Sequence, residues 1–577
     1  MLHGLSCLLQ KLFMDATRTF PQWPGRRWLL LVALTLVFAV SLFFAGRMLL
    51  PSKQPPSSGE LIEAAPPAAD IHPAKGKELY SNYCLPCHGE KGGGDGPASR
   101  FLYPKPRNFG EGKFRIVTSA NRMPSDQDLL YVLNRGMPGS AMFPFSHLSE
   151  SDRLALVGYV QFLMRAAYEE RARQLAAEKE EEVDAEELAE SIDRATRAEG
   201  ALTIPGDLPP PGVEAVARGR EVYRKGGCTS CHGDTGKGDG AQKQFNDDGT
   251  PTRPRDFGLG YFKGGRDFQQ LYARILLGMP GSPMPSSRGN LTPAETSDLI
   301  QFVLSLSDPA AQAKVEHKRA QITARRTPTS LADEISEDEW RSAGEIPIVV
   351  SPLWWRDGAE VDLRVQALHD GQALAVRLTW LDKTRNQTAV RPQEFEDMAA
   401  VQLFKGSPEP FLGMGASAQA VDVWHWRAGW QGKPVAYADV DTTYPAMGVD
   451  WYPFEQRGNG SRLHAPERQP REYASAWAAG NLRSDPTATF TGSSLQAKGF
   501  GTLTMRPRVS QQVRATSAWK DDHWTVILRR PLQVSPDAGI PLVPGDKVSI
   551  AFAIWNGAAG DRNGQKLVSI WHDLLLE

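Results

Sequence analysis

The spacing of apolar residues divides this 577-residue chain into stretches of different period. Trp28–Gly46 is an unbroken, uncharged apolar run, long enough to cross a hydrocarbon core. Lys11, Arg18, Arg26 and Arg27 precede it, which predicts a transmembrane signal anchor over 28–50 with residues 1–27 cytoplasmic. A cleaved leader is the rival reading, but the run exceeds a usual leader core and Phe44–Met48 lacks a small-residue cleavage pattern. Residues 51–72, rich in Pro and Ala, read as an extended linker. Apolar positions then recur at helical spacing and close two blocks, at Glu150–Met164 and Pro293–Leu306. Two all-α domains are expected, 73–168 and 206–310. Between them, 169–205 is charged and Ala-rich and reads as a helical spacer, with Glu180–Glu182 on a solvated face. Residues 311–342 read as a second linker.

From 343 onward the period becomes two. Val361–Ala367 and Leu374–Trp380 alternate around the turn His369–Gln372, a β-hairpin signature. Further strands are expected at Ala399–Phe404, Val421–Trp426, Trp524–Leu528, Val548–Trp555 and Leu567–Trp571. The expected fold class is therefore multidomain: an N-terminal transmembrane helix, two all-α domains joined by a helical spacer, and an antiparallel β-sandwich over 343–577.

The two helical blocks are copies of each other. Ala74–Tyr80 matches Ala217–Tyr223, Gly94-Asp-Gly96 matches Gly238-Asp-Gly240, Pro106–Gly110 matches Pro254–Gly258, and Gly136–Met142 matches Gly278–Met284. Each copy holds one Cys-x-x-Cys-His motif, Cys84–His88 and Cys228–His232. Two thiols at this spacing can form thioethers to a haem's vinyl groups, and the following imidazole can ligate the iron. Cys84, Cys87, Cys228 and Cys231 would thus tether two haems c, with His88 and His232 as proximal ligands. Of the five cysteines only Cys7 remains, so no structural disulfide is available among the rest. Attachment of haem c places the bulk of the chain in the periplasm, on the far side of the cytoplasmic membrane from residues 1–27. The net charge of −2 gives no general reason to expect a nucleic-acid partner.

The sixth ligand separates electron transfer from catalysis, because a methionine thioether closes the position that a substrate would need. Met123 has no counterpart in the second copy, where Lys263-Gly-Gly-Arg-Asp stands. Met137/Met279 and Met142/Met284 are both duplicated, and spacing does not separate them. Both copies resemble class I cytochrome c domains, whose ligand Met commonly stands just before Pro. Met284-Pro285 fits that pattern and Met142-Phe-Pro144 departs from it by one residue, so the resemblance implies Met142 and Met284.

Nothing at metal-ligand spacing marks the last domain. The stretches Met398–Phe404, Pro410–Gly415, Val421–Trp426, Ala551–Gly557 and Gly564–Lys566 resemble the haem-b-binding γ subunit of ethylbenzene dehydrogenase. That family includes related periplasmic molybdoenzymes of the dimethyl-sulfoxide-reductase group. The resemblance implies one haem b held by Met414 and Lys566, with His425 as the rival ligand, since alternation does not say which face His425 occupies. It further implies an electron-transfer subunit without substrate chemistry. Its partners would be the iron–sulfur subunit of a molybdenum oxidoreductase and a cytochrome or quinone-linked redox partner. Two other readings stay open: a sandwich that binds carbohydrate through exposed Trp, and a catalytic c-type haem enzyme. Replacing Cys228 and Cys231 by Ala is expected to remove about half of the c-type absorbance in a pyridine haemochrome assay. An unchanged spectrum would contradict two haems c.

Overall fold

In the computed structural model the described residues are 73–331, 335–356, 361–430, 444, 446, 481–484 and 488–577. Among them no helix is long and apolar enough to cross a membrane, and residues 28–50 lie outside the described set. The transmembrane helix in the expected fold class is therefore not part of the observed fold.

Each helical module is built around a crossing of its first and last helices. In the first, α1 (Pro73–Tyr83) leads into a single-turn helix, α2 (Leu85–His88); α3 (Asp126–Arg135) and α4 (Glu150–Glu178) follow. In the second, α6 (Val213–Lys225), α7 (Thr229–His232), α8 (Phe268–Leu277) and α9 (Pro293–Ser305) repeat the order. At each crossing a glycine allows the backbones to touch: a Cβ on Gly76 would press on the Ala155 carbonyl, and one on Gly219 on that of Asp298. Apolar clusters centred on Tyr80, Leu156 and Met164, and on Tyr223, Tyr272 and Ile300, fill the two interiors.

Three details depart from the expected fold class. The second module is not all-α, because Gln244–Phe245 (β1) and Pro251–Thr252 (β2) pair in a short antiparallel ladder. The spacer is not a free arm. Helix α4 runs unbroken past residue 168, and α5 (Ala185–Thr196) folds back on it, burying Leu188 and Ile192, with Arg165 paired to Asp193 at 3.0 Å. The chain then zips along the first module, where Ala120 N–H bonds Gly200 O and Leu202 N–H bonds Thr118 O at 3.1 Å. The last domain is not purely antiparallel either. Residues 321–326, inside the expected 311–342 linker, form β3, which pairs parallel with β15 (His572–Leu576) and with β5 (Val361–His369).

Among the described residues the last domain is one continuous sheet of thirteen strands folded into two layers. β4 (Ile346–Pro352), β5, β6 (Ala373–Leu381), β11 (Arg514–Lys520) and β12 (His523–Pro531) make one side. β7 (Met398–Phe404), β8 (Val421–Arg427), β9 (Ser493–Ala497), β10 (Thr504–Met505) and β13 (Lys547–Trp555) make the other, and β14 (Leu567–Val568) joins β13 to β4. β5 and β6 form a hairpin around Gly371, whose φ of 86° favours glycine. Between the layers lies an apolar core in which Trp426 of β8 meets Trp380 of β6 (6.1 Å) and Trp524 of β12 (4.9 Å) edge to face. Trp340, Trp380, Trp424, Trp426 and Trp524 are fully buried, so these tryptophans fill cores instead of offering an exposed stacking surface. The segment expected as a strand, Leu567–Trp571, is shorter in the fold: β14 ends at Val568, and β15 begins only at His572.

The modules lock onto each other. The two cytochrome-like modules exchange equivalent contacts: Arg107 reaches Gly281 O (3.5 Å), and Arg255 reaches Gly139 O through Nη2 (3.0 Å) and Nε (3.3 Å). Arg107 and Arg255 are repeat-equivalent, as are Gly139 and Gly281, so the interface has approximate two-fold character. Trp355 of the sheet domain is the common meeting point. Arg255 stacks over its ring at 4.1 Å, Tyr261 meets it edge-on at 4.8 Å, and the Trp355 backbone N–H donates to Tyr103 O of the first module at 2.8 Å.

Truncating Trp424→Ala is expected to cost about 3–5 kcal/mol, read by chemical denaturation. Gly139→Ala, at φ 76° and against Arg255, should cost about 1–3 kcal/mol, whereas exposed Gly249→Ala, with open space around it, serves as the strain-only control.

Candidate functional site

The Cys-x-x-Cys-His motifs fold identically in local terms. Each spans a single-turn helix that follows the module's first helix, and Tyr80 Oη and Tyr223 Oη fasten the turn by donating to Gly89 O and Gly233 O, both at 2.7 Å. Beyond each histidine stands a ladder of rings. His88 stacks on Phe109 (4.6 Å) and Phe109 on Phe114 (5.6 Å); His232 stacks on Phe257 (5.0 Å) and Phe257 on Phe262 (5.2 Å). Burial lowers both imidazoles to about 4, so they are neutral near pH 7. His88 Nδ1 donates to Arg107 O at 3.1 Å, leaving Nε2 with its lone pair for a metal. The equivalent support is missing at His232, whose buried Nδ1 has no partner among the described residues.

None of the four described cysteines is bridged. Burial raises the thiols of Cys84 and Cys87 to about 12, the reverse of the lowered values that activate a redox Cys pair. In each late loop the N–H of the first methionine donates to the carbonyl of the second, Met137 to Met142 at 2.7 Å and Met279 to Met284 at 3.1 Å. All four are half-buried, and Met142 packs on the first module's core.

A cavity of about 910 Å³ runs from the first module into the sheet domain. It carries Cys84, Cys87, His88, Met137 and Met142 at one end and Met414, His425 and Lys566 at the other. Its volume lies near the upper bound of ordinary ligand sites, about 300–1,000 Å³. The sheet-domain end is floored by Ala400, Ala551 and Ala553 and rimmed by Trp555 and Trp571. Small residues on a sheet face leave a flat apolar space that a planar ring system can occupy.

The structure answers the orientation question at β8. Trp424 and Trp426 enter the core between the layers, so His425 faces the cavity, between Trp430 (5.4 Å) and Trp555 (5.9 Å). Burial, then Arg427 and Lys566, push its imidazole down to about 3. Lys566 Nζ lies over the Trp555 ring at 4.8 Å, and burial lowers it to about 8, which makes a neutral amine accessible. Met414 has φ 84° and is tied through its carbonyl to Gly499 N–H at 2.8 Å, an over-determined turn for a non-glycine residue. An apolar floor, two soft or neutral donors and a buried amine without a carboxylate together fit a haem-type group. The cations Arg107 and Arg115, which line the cavity together with Cys84 and His88, were not singled out from the sequence. The signal was the duplicated Pro-Arg pair at 106–107 and 254–255.

A cytochrome c family model matches residues 73–163 and 216–307, and an ethylbenzene dehydrogenase family model matches 339–567. The putative respiratory nitrate reductase heme subunit of Haloferax mediterranei is 27% identical over 243 residues, covering 41% of this chain and 66% of that protein. Chlorate reductase subunit gamma of Ideonella dechloratans is 28% identical over 214 residues (37% and 64%). Dimethylsulfide dehydrogenase subunit gamma of Rhodovulum sulfidophilum is 26% identical over 256 residues (42% and 74%). The chain thus spans about two thirds of the length of these curated relatives. Among solved structures, a chain of the reducing HAO-like protein complex of Kuenenia stuttgartiensis is 33% identical, covering 41% of this chain and 96% of its own, at a TM-score of 0.35. The cytochrome c domains carry covalently bound haem c and make this an electron-transfer haem protein. The chain joins two cytochrome c domains to a domain of the ethylbenzene dehydrogenase family.

Proposed function

We propose that the chain is a three-haem relay in which electrons pass between the sheet domain and the first cytochrome module, and from there to the second. The observation that carries this reading is the single cavity that reaches from Cys84 and His88 to Met414 and Lys566. In this reading Cys84, Cys87, Cys228 and Cys231 hold two haems c, with His88 and His232 as proximal ligands. Met142 and Met284 close the sixth positions, Met137 and Met279 being the alternative pair. Met414 and Lys566 hold one haem b, with His425 the rival. When bound, the haems supply reversible one-electron iron chemistry.

The chain's own residues set the conditions for that chemistry. Burial keeps His88 and His232 neutral, so each offers a lone pair. The alanine floor and the Trp555 and Trp571 rim exclude water from the sheet-domain end. At the seam between the first module and the sheet domain, Arg319 pairs with Glu409 (2.6 Å) and Asp573 (2.7 Å), and Tyr83 Oη of the first module donates across it to Glu409 O at 2.7 Å. The protein performs no substrate chemistry of its own.

The three γ- or haem-subunit relatives support a place beside a partner oxidoreductase. That partner would be a molybdenum enzyme whose iron–sulfur subunit meets the sheet domain, with a soluble cytochrome or the quinone-linked chain at the other end. Attachment of haem c puts the protein on the periplasmic side. The pyridine haemochrome of the whole protein should show two c-type haems and one b-type. Lys566→Ala and Met414→Ala should each lose the b-type signal and keep both c-type haems. Met142→Ala and Met284→Ala should each open one c-type iron to carbon monoxide. A purely c-type spectrum, or methionine variants with unchanged spectra, would contradict these assignments.

A further inference from the structure

Four cations converge where the two cytochrome modules join. Arg107 and Arg115 come from the first module, Arg255 and Lys263 from the second, and they are repeat-equivalent in pairs. Arg107 and Arg255 each follow the duplicated proline, and Arg115 and Lys263 each follow the outer phenylalanine of a ring ladder, Phe114 and Phe262. Arg115 and Arg255 are buried. The four lie close enough to feel one another: the charges of Arg107 and Arg255 act on Arg115, while burial, then the charges of Arg255, Arg115 and Arg107, pushes Lys263 well down, so that it holds its charge only beside an anion.

Their hydrogen bonds go to neutral groups. Arg107 and Arg255 use the carbonyls of Gly281 and Gly139, and Arg115 Nη2 donates to Asn246 Oδ1 at 3.1 Å. Arg115 Nε is buried with no hydrogen-bond partner among the described residues. Among the described residues no acid hydrogen-bonds the cluster: Glu111, Asp248 and Asp247 act on Arg107 through space, and Asp248 on Arg115, while Asp248 accepts from the Thr250 N–H (2.9 Å) and hydroxyl (2.5 Å) and Asp247 pairs with Lys113 (2.5 Å). Buried like charges are costly when no anion touches them directly, so the cluster can take further negative charge from outside the polypeptide.

The position says where that charge comes from. Arg107 and Arg115 line the same cavity as Cys84, Cys87 and His88, and the Arg107 carbonyl holds His88. In the other module Lys263 stands near enough to His232 for its charge to be felt there. Each half of the cluster therefore borders its own haem motif while touching the other module's Met-Pro-Gly loop.

We propose that Arg107, Arg115, Arg255 and Lys263 form one shared site for the carboxylates of both haems c, so that each module's cations help set the potential of the other module's iron. This rests on the reading that both modules carry haem c. Buried positive charge favours the reduced iron, so removing one cation should lower the potential of both.

The test is a spectroelectrochemical titration of the full protein carrying Arg115→Leu, Lys263→Met or the charge-keeping Arg115→Lys. Haem content is measured first on each by pyridine haemochrome. The expected result is a downward shift of both c-type midpoints in Arg115→Leu and in Lys263→Met, with Arg115→Lys restoring them. A shift confined to one midpoint, or no shift, with two haems c present, would overturn the shared site and leave the relay standing. Fewer than two haems c in the unaltered protein would instead overturn the relay reading itself. Midpoints of the unaltered protein that follow phosphate concentration at fixed ionic strength would assign the cluster to a solution anion and overturn the proposal. Should Arg115→Leu not fold, Lys263→Met reads the same coupling from the second module.

Discussion

The sheet domain has two faces with opposite demands, and the rest of the architecture follows from that asymmetry. One face of β7, β8 and β13 meets the opposite layer through Trp424, Trp426 and Phe552 and fills its space completely. The other presents Ala400, Ala551 and Ala553, too small to fill the volume above them. A broad apolar floor of that kind is unstable against water unless something covers it. The first cytochrome module is the cover. It brings its own apolar haem motif to the same space, so one enclosure serves both. Within it Lys566 and His425 lose their solvation, and both are pushed toward the neutral forms that can ligate a metal.

The second cytochrome module stands outside that enclosure and is joined by a different device. Its contact with the first is a reciprocal exchange in which each Arg reaches the other module's Met-Pro-Gly carbonyl. A duplicated sequence makes such an exchange possible, because equivalent side chains meet equivalent loops. The duplication is imperfect where chemistry is concerned. His88 has a backbone acceptor for Nδ1 and His232 does not, and Arg115 is replaced by Lys263. Two haems c in such unequal surroundings would differ in potential.

Much of this was legible along the chain. The two Cys-x-x-Cys-His motifs, the repeat and the alternation of β5 and β6 are local patterns, and local patterns survive folding. What was not legible depends on distant partners. β3 sits in a charged stretch with only Ile322 and Ala324 pointing inward, too short an alternation to register, and it becomes a strand because β15 and β5 flank it. Helix α4 outruns its expected end through a largely exposed, Ala- and Glu-rich extension, and α5 docks near its middle through Arg165 and Asp193. The face of His425 was ambiguous because Trp on either side could serve a core or a cavity, and only the opposite layer decides. The buried cations look like ordinary surface arginines until the second module packs on them.

The claim at the centre of this account is that one enclosure between the first cytochrome module and the sheet domain holds two irons. An anomalous-difference map at the iron edge, from crystals of the purified haem-loaded protein, addresses it directly. The account predicts three iron peaks, two inside the enclosure, beside His88 and between Met414 and Lys566, and one beside His232. A single peak in the enclosure would contradict it.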